Sequence, residues 1–548
     1  MSVDWERAKR AYYWSGFATG PDTMLASFWG PAMLAVAALD QTCSSDAFRP
    51  GQLCTPTHLW NHSLWQDVNG QACAALDPFQ VTLYPYDPQI PACVAAYQEY
   101  SDATNYTCNC TGYANKYALL GGNGGLRASI LPLLQSNIAF GIVSFVSPLL
   151  GEYLDYSSSR LKLWRWFWLV GSASTALMAI LWINYVWIAG YLFAFITQLS
   201  TELATVPRSA YLVEIAKDDS TRVQLGSLRQ GMSFVSQLIY VIIMTGISLI
   251  PSLSGKEYQV LIGATSAVIC AIWYFFTMIP VFNGLYESDV NRERPKGARL
   301  CSLTFGSFLT EMQEMWRGNR EAVKYLTFIF CMQNGAGSTV IGLLALSYLP
   351  EYLLFSATQR GVLVGVVLLS GAIAAPVLAR FVRKYPKQLT VRRLLIAITL
   401  LWLFLVVLIP LVLPALGTSP DGSWGQTFIL ACVFGGVFGG AAFSWYFSLI
   451  WSGFVGMVPP QKAATYAGIL YFVQNLGLIG ENFIYIGVLQ ASNQYRIAIL
   501  TLIPWVFLGL CVLLSIDFAK GVRDYVRPGG RVDVEVPGAN APKVAGAE

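Results

Sequence analysis

Three acids, Asp22, Glu202 and Glu481, stand inside long apolar stretches of this chain. An ionisable side chain at mid-membrane costs at least about 2.5 kcal/mol, so such residues are kept for a reason. An unpaired carboxylate in a low dielectric is held protonated until a cation arrives. That behaviour suits a proton or the ammonium group of a solute. No lysine or arginine is clearly buried with these acids in the sequence, so the expected interior is acid-only. The competing reading is hydrogen bonding between helices by protonated acids.

Helical spacing gathers further polar groups around the acids. Gln198, Glu202 and Thr205 recur at i, i+4 and i+7 and share one face, and Gln230, Ser233, Gln237 and Tyr240 form a similar stripe. Gln474 and Glu481, with Asn475 and Asn482 beside them, give one broad polar face. Gln333 and Asn334 precede Gly335 and Gly337, glycines expected to interrupt the helix and free backbone groups for a ligand. The plainer alternative is that such amides are interhelical contacts worth about 0.6 kcal/mol each.

The elements that must hold these groups are membrane helices. Of 548 residues, 55% are hydrophobic and 12% charged, and mean hydropathy is +0.50. Apolar runs of about 20 residues, enough to cross a hydrocarbon core, recur along nearly the whole chain. A single water-soluble core is excluded. The net charge of +4, carried in separated clusters with no continuous stripe, is too small to imply a nucleic-acid partner. Spans are expected near 14–39, 128–150, 164–184, 186–206, 229–250, 260–282, 324–349, 360–381, 393–415, 426–450, 465–489 and 496–517. With a cytoplasmic N-terminus, Arg49, Lys116, Arg127, Lys256, Arg360 and Arg496 are the only basic residues on the outer side. This asymmetry predicts both termini inside.

The expected organisation is an N-terminal six-helix bundle over 1–282, a linker over 283–323, a C-terminal six-helix bundle over 324–520, and a disordered cytoplasmic tail over 521–548. The loop 40–126 lies outside. It holds Cys43, Cys54, Cys73, Cys93, Cys108 and Cys110, with glycosylation sequons at Asn61, Asn105 and Asn109. An even cysteine set beside sequons points to an oxidising compartment and disulfides, with zinc as the rival reading. The run Gly121–Gly125 reads as a flexible joint. Trp164, Trp166 and Trp168 at a span end fit an interfacial belt. Gly435, Gly436, Gly439 and Gly440 allow close helix approach, with Trp445 and Tyr446 bordering the pathway.

Gly151-Glu152-Tyr153-Leu154-Asp155, followed by Arg160 and Lys162, resembles the loop two-three signature of the major facilitator superfamily. The resemblance implies a turn glycine and an Asp–basic latch on the inner face, with Arg380 in the degenerate counterpart after Gly371–Pro376. An ordinary interfacial ion pair is the alternative for Asp155 and Arg160. Tyr13–Pro21, Ala210–Ala216, Trp273–Pro280, Asn334-Gly335 and Val458-Pro459 with Gly468 resemble the autophagy-related vacuolar effluxer family, a branch of that superfamily. The resemblance implies an all-α, twelve-helix major facilitator fold that exports amino acids from a vacuole- or lysosome-like lumen by alternating access.

Departures from the family bear on the substrate. Gly20 stands before the first-helix proline and Asp22 follows it. Phe447–Ser452 lacks the expected base, and Ala463 and Ala464 replace acids. The other readings are a transporter of another small solute at the plasma membrane or another organelle, and a receptor that uses the glycosylated loop. Neither a phosphate-binding loop nor a hydrolase or metalloprotease motif occurs. No enzyme activity, metal or cofactor is expected; the lipid bilayer, a small solute and protons are the expected partners.

Overall fold

The computed structural model describes residues 4–25, 119–120, 126–127, 131–180, 187–216, 218–248, 250, 259–287, 300–336, 357–412, 425–492 and 495–525. Asp4 caps α1 (Trp5–Met24), its carboxylate accepting the Arg7 backbone N–H at 3.1 Å. This satisfies one of the free donors of the first turn. Next come α2 (Leu131–Asp155), α3 (Arg160–Leu177), α4 (Trp187–Leu203), α5 (Thr205–Ile215), α6 (Asp219–Ser248) and α7 (Gln259–Gly284). Then α8 (Leu300–Gly318), α9 (Arg320–Ala336), α10 (Ala357–Lys384) and α11 (Val391–Val412) lead into α12 (Gln426–Val455). The chain closes with α13 (Ala463–Ser492), α14 (Tyr495–Leu500), α15 (Leu502–Leu514) and α16 (Phe518–Tyr525). A two-residue antiparallel pair, β1 (Leu119–Leu120) with β2 (Leu126–Arg127), is the exception among the described residues. It brackets the glycine run expected to be a flexible joint, which itself lies outside the described residues.

Over their described parts the expected spans are mostly helical, with 186–206 divided between α4 and α5 and 496–517 between α14 and α15. Among the described residues, seven helices are long and apolar enough to cross a membrane on their own. The polar-rich helices, including α13 and the α4–α5 pair, are outside that set. α5 continues the line of α4, since Ala204 between them keeps a helical backbone. α6 begins ten residues before the expected span. In both cases charged residues read as loop are carried inside a helix by tertiary packing.

With the expected division at the linker, the helices fall into two sets that meet along a broad seam. α1 lies against α6 and α7, and α3 against α4 and α7; α9 lies against α13 and α15, and α10 and α11 against α12. Across the seam, α2 runs along α13 and α6 along α10. Close approach at the first contact requires glycine on both sides. A Cβ on Gly151 would overlap the Ala464 carbonyl oxygen, and one on Gly468 would overlap that of Ser147. In α12, Gly436 and Gly440 face α10 in this way, whereas Gly435 and Gly439 do not.

Other expectations are corrected. Trp164 and Trp168 are buried and only Trp166 faces outward, because residues four apart share the inner face of α3. The Trp168 indole N–H donates to the Tyr274 carbonyl at 3.2 Å. Within the expected linker stands a 19-residue helix, α8; Asn291–Arg299 lies outside the described residues. The tail expected from 521 begins inside α16, whose helix runs to Tyr525. Asn61, Asn105, Asn109 and the six loop cysteines lie outside the described residues.

Candidate functional site

The N-terminal end of α1 marks one face of the helical assembly, here called the inner end. α2 delivers Glu152 and Asp155 to it, both fully buried. Asp155 Oδ1 accepts the Ala464 backbone N–H at 3.2 Å, and Oδ2 accepts the Thr465 backbone N–H at 2.9 Å and its hydroxyl at 2.7 Å. These are the first-turn donors of α13, where the helix dipole also favours an anion. The Thr465 hydroxyl also lies 2.7 Å from Glu152 Oε2. Arg160, fully buried at the start of α3, donates to Asp155 Oδ1 at 3.0 Å and pairs with Glu214 of α5. One carboxylate thus ties α2 and α3 of the first group to α13 of the second.

The structure brings Gly151, Asp155 and Arg160 together. Arg380 is exposed on α10 and, among the described residues, makes no hydrogen bond or ion pair with this cluster. Glu152, Glu214 and Thr465 complete the network without having been picked out. Glu152 and Glu214 were inside stretches that carried the family resemblance, whereas nothing local marked Thr465. A second inner network fixes the linker to the end of the chain. The Asn319 amide donates to the carbonyls of Met457 and Gly521, each at 3.0 Å, and Glu321 Oε2 accepts the Asp517 backbone N–H at 2.9 Å.

Deeper in the membrane the polar groups are sparsely satisfied. Asp22 is 8% exposed and lies beside Thr201. Glu202, partly exposed on α4, is within electrostatic range of Asp22 and of Arg208 on α5. Gln198, on the same face, is 3.4 Å from the Ser136 hydroxyl of α2. Gln237 is buried and spends its amide on Ser233, one turn back in α6, at 2.9 Å. The first-half acids and amides therefore lie along α1, α4 and α6, with the Ser136 hydroxyl added from α2.

The second-half group is more isolated. Glu481 is 1% exposed, and both carboxylate oxygens lack a hydrogen-bond partner among the described residues. Gln333 Oε1, Asn334 Oδ1, Asn475 Nδ2 and Asn482 Oδ1 are also buried without partners. Asn334 donates to the Phe330 carbonyl at 2.9 Å and packs against Gly477 and Gly480 of α13. Asn482 reaches across the seam to Asn137 of α2, at 2.6 Å. Gln474 is buried one turn inward of Gly477. α9 is described to Ala336 and runs through Gly335, which admits Val506 of α15; Gly337 lies outside the described residues. Tyr446 is fully buried, and the Trp445 indole N–H is turned to the Ala374 carbonyl of α10 at 2.8 Å.

The acid-only expectation is also corrected. Arg208 is 8% exposed, and Arg229 of α6 has a buried Nε with no partner. The expected spans ended at 206 and began at 229, which put both arginines at a membrane edge. Continuation of α4 into α5 and the early start of α6 bring them inside. Among the described residues no group of three His, Cys, Asp or Glu is placed to hold a metal ion.

Similar folds occur among solved structures. The proton:xylose symporter XylE of the major facilitator superfamily matches at a TM-score of 0.58, with 13% identity over 94% of this chain and 96% of its own. FucP, of the same superfamily in an outward conformation, matches at 0.52, with 13% identity over 90% and 99%. The human organic anion transporter MFSD10 matches at 0.50, with 13% identity over 93% and 100%. No curated protein sequence matches the chain significantly. The family described as "Vacuole effluxer Atg22 like" matches residues 72–526. With the fold of these transporters, several helices able to cross a membrane and this match over most of its length, the chain is a multi-pass membrane protein and belongs to the vacuole effluxer Atg22-like family.

Proposed function

We propose that this transporter exports amino acids from a vacuole- or lysosome-like lumen into the cytosol after autophagic breakdown, coupled to protons. Two six-helix halves, 1–282 and 324–520, alternate access across twelve crossings, with the linker 283–323 and both termini in the cytosol. The inner end is then cytosolic, and the network around Asp155 is the latch that breaks when the site opens inward. The 40–126 loop faces the lumen, where disulfides and glycans would protect it from proteases.

One observation carries the coupling: Glu481 is a buried carboxyl with no partner on either oxygen among the described residues. A carboxylate so placed gains a proton cheaply and loses it only when a cation or water reaches it. Asp22 and Glu202, within range of each other, supply a second cation-binding region in the other half. The test is counterflow of amino acids in vesicles reconstituted with the full chain, with and without a pH gradient. Wild type should accumulate neutral amino acids only with the gradient. Joint replacement Asp22→Asn, Glu202→Gln and Glu481→Gln should abolish that dependence; an unchanged response would refute the coupling.

A further inference from the structure

The acids account for a cation and leave Arg208 and Arg229 without a role. Among the described residues neither guanidinium forms a hydrogen bond or an ion pair, although Arg208 is more than nine-tenths buried and Arg229 Nε is sealed from solvent. The two arginines interact electrostatically with each other, and Arg229 does so with Tyr12 of α1 and Tyr471 of α13. α1 meets α6 where Gly16, one turn after Tyr12, abuts the Arg229 carbonyl. The hydroxyls of Ser209 and Tyr471 are 2.9 Å apart, and the Trp451 indole N–H donates to the Ser209 carbonyl at 3.2 Å. Counting helical rise from the inner helix ends, all four residues sit at a depth of about 10–15 Å. They form one layer, built from both halves and lying inward of the acids.

Two like charges in a low dielectric repel, burial limits their hydration, and Glu202, within range of Arg208, forms no ion pair with it among the described residues. The guanidinium fork matches a carboxylate in bidentate fashion, and phenolic hydroxyls add neutral donors. We infer that Arg208 and Arg229, with the hydroxyls of Tyr12 and Tyr471, receive the carboxylate of the transported solute. The inference rests on the transport reading above and identifies the part of the solute that this layer recognises. Glu202, within range of Arg208, offers the opposite charge for the ammonium end of a zwitterion. Because Tyr471 comes from the second half, the carboxylate would bridge the halves and favour the state in which they touch.

The test is equilibrium binding to the purified full-length protein in detergent. Probes are alanine, leucine and phenylalanine, each beside its amine lacking the carboxylate and its acid lacking the amine. Wild type should bind the amino acids and the acids and discriminate against the amines. Arg208→Gln and Arg229→Gln should weaken both carboxylate classes at least tenfold, with size-exclusion profile and melting curve reporting the fold. Should either glutamine variant misfold, Arg208→Lys and Arg229→Lys keep the charge, lose the fork, and should weaken carboxylates but not amines. Wild-type affinity in folded variants, or failure of every carboxylate to bind wild type, overturns the inference. Arginine-dependent binding of the simple acids without amino acid transport would sink the amino acid reading and leave this site standing. Amino acid transport indifferent to both arginines would do the reverse.

Discussion

The inner end and the middle of the membrane treat buried charge in opposite ways. At the inner end, Asp155 accepts from two backbone N–H groups, a hydroxyl and a guanidinium. In the middle, Glu481 accepts from none among the described residues. Both carboxyls are almost fully buried, so burial alone does not distinguish them. What differs is satisfaction: a fully partnered charge holds helices in one arrangement, whereas an unpartnered one is costly until something mobile reaches it. On the proposed reading the first serves as a latch and the second as a binding position.

Breaking the satisfied side should have the largest effect. Asp155→Ala strands Arg160 and the first turn of α13, and should cost about 3–5 kcal/mol, read as a lower melting temperature in detergent together with loss of transport. A smaller cost, below about 1 kcal/mol, would show that the latch carries little. Gly151→Val forces a side chain into the Ala464 carbonyl and should cost about 1–3 kcal/mol as overpacking. Cysteine-labelling of the inner end should then show greater exposure than in wild type.

The unsatisfied side should answer with the opposite sign. Glu481→Met removes an unpartnered polar group without leaving a void, and should leave stability unchanged or raise it by about 1–3 kcal/mol, while abolishing gradient-driven uptake. Loss of both stability and uptake would mean that Glu481 is structural, and the contrast would fail.

Two smaller effects sharpen the comparison. Burial pushes the Glu321 carboxyl up, but the Asp517 N–H and the Lys324 ammonium outweigh it and hold it below its ordinary value. A depressed carboxyl stabilises the fold above its unfolded value, about 4.3, and that contribution is lost as pH falls through the lower folded value. Acidification from pH 6 to pH 3 should therefore loosen α16, seen as faster hydrogen exchange at its start, and Glu321→Gln should flatten the dependence. Arg380→Gln, at an exposed position outside the latch, should change stability by less than about 0.5 kcal/mol. A larger loss of transport would restore it to the gate.

Much of this was legible in the chain. Apolar runs gave the helices because backbone groups in lipid must be satisfied within a segment, and Asp22, Glu202 and Glu481 stood out because charge is rare there. Gly151, Asp155 and Arg160 carried a recognisable spacing. The helix ends were not legible: Arg208 and Arg229 look like edge residues in sequence, and only the packing of α5 and α6 shows them inside. Thr465 gave no local sign, since its importance comes from α2, more than three hundred residues away.

Composition and periodicity alone therefore determined that this protein lives in a bilayer as packed helices with a few buried charges. Tertiary structure alone decided which of those charges are answered. Hydrophobic pattern is a property of one segment, whereas a hydrogen-bond partner must arrive from another, and no single helix can specify what faces it.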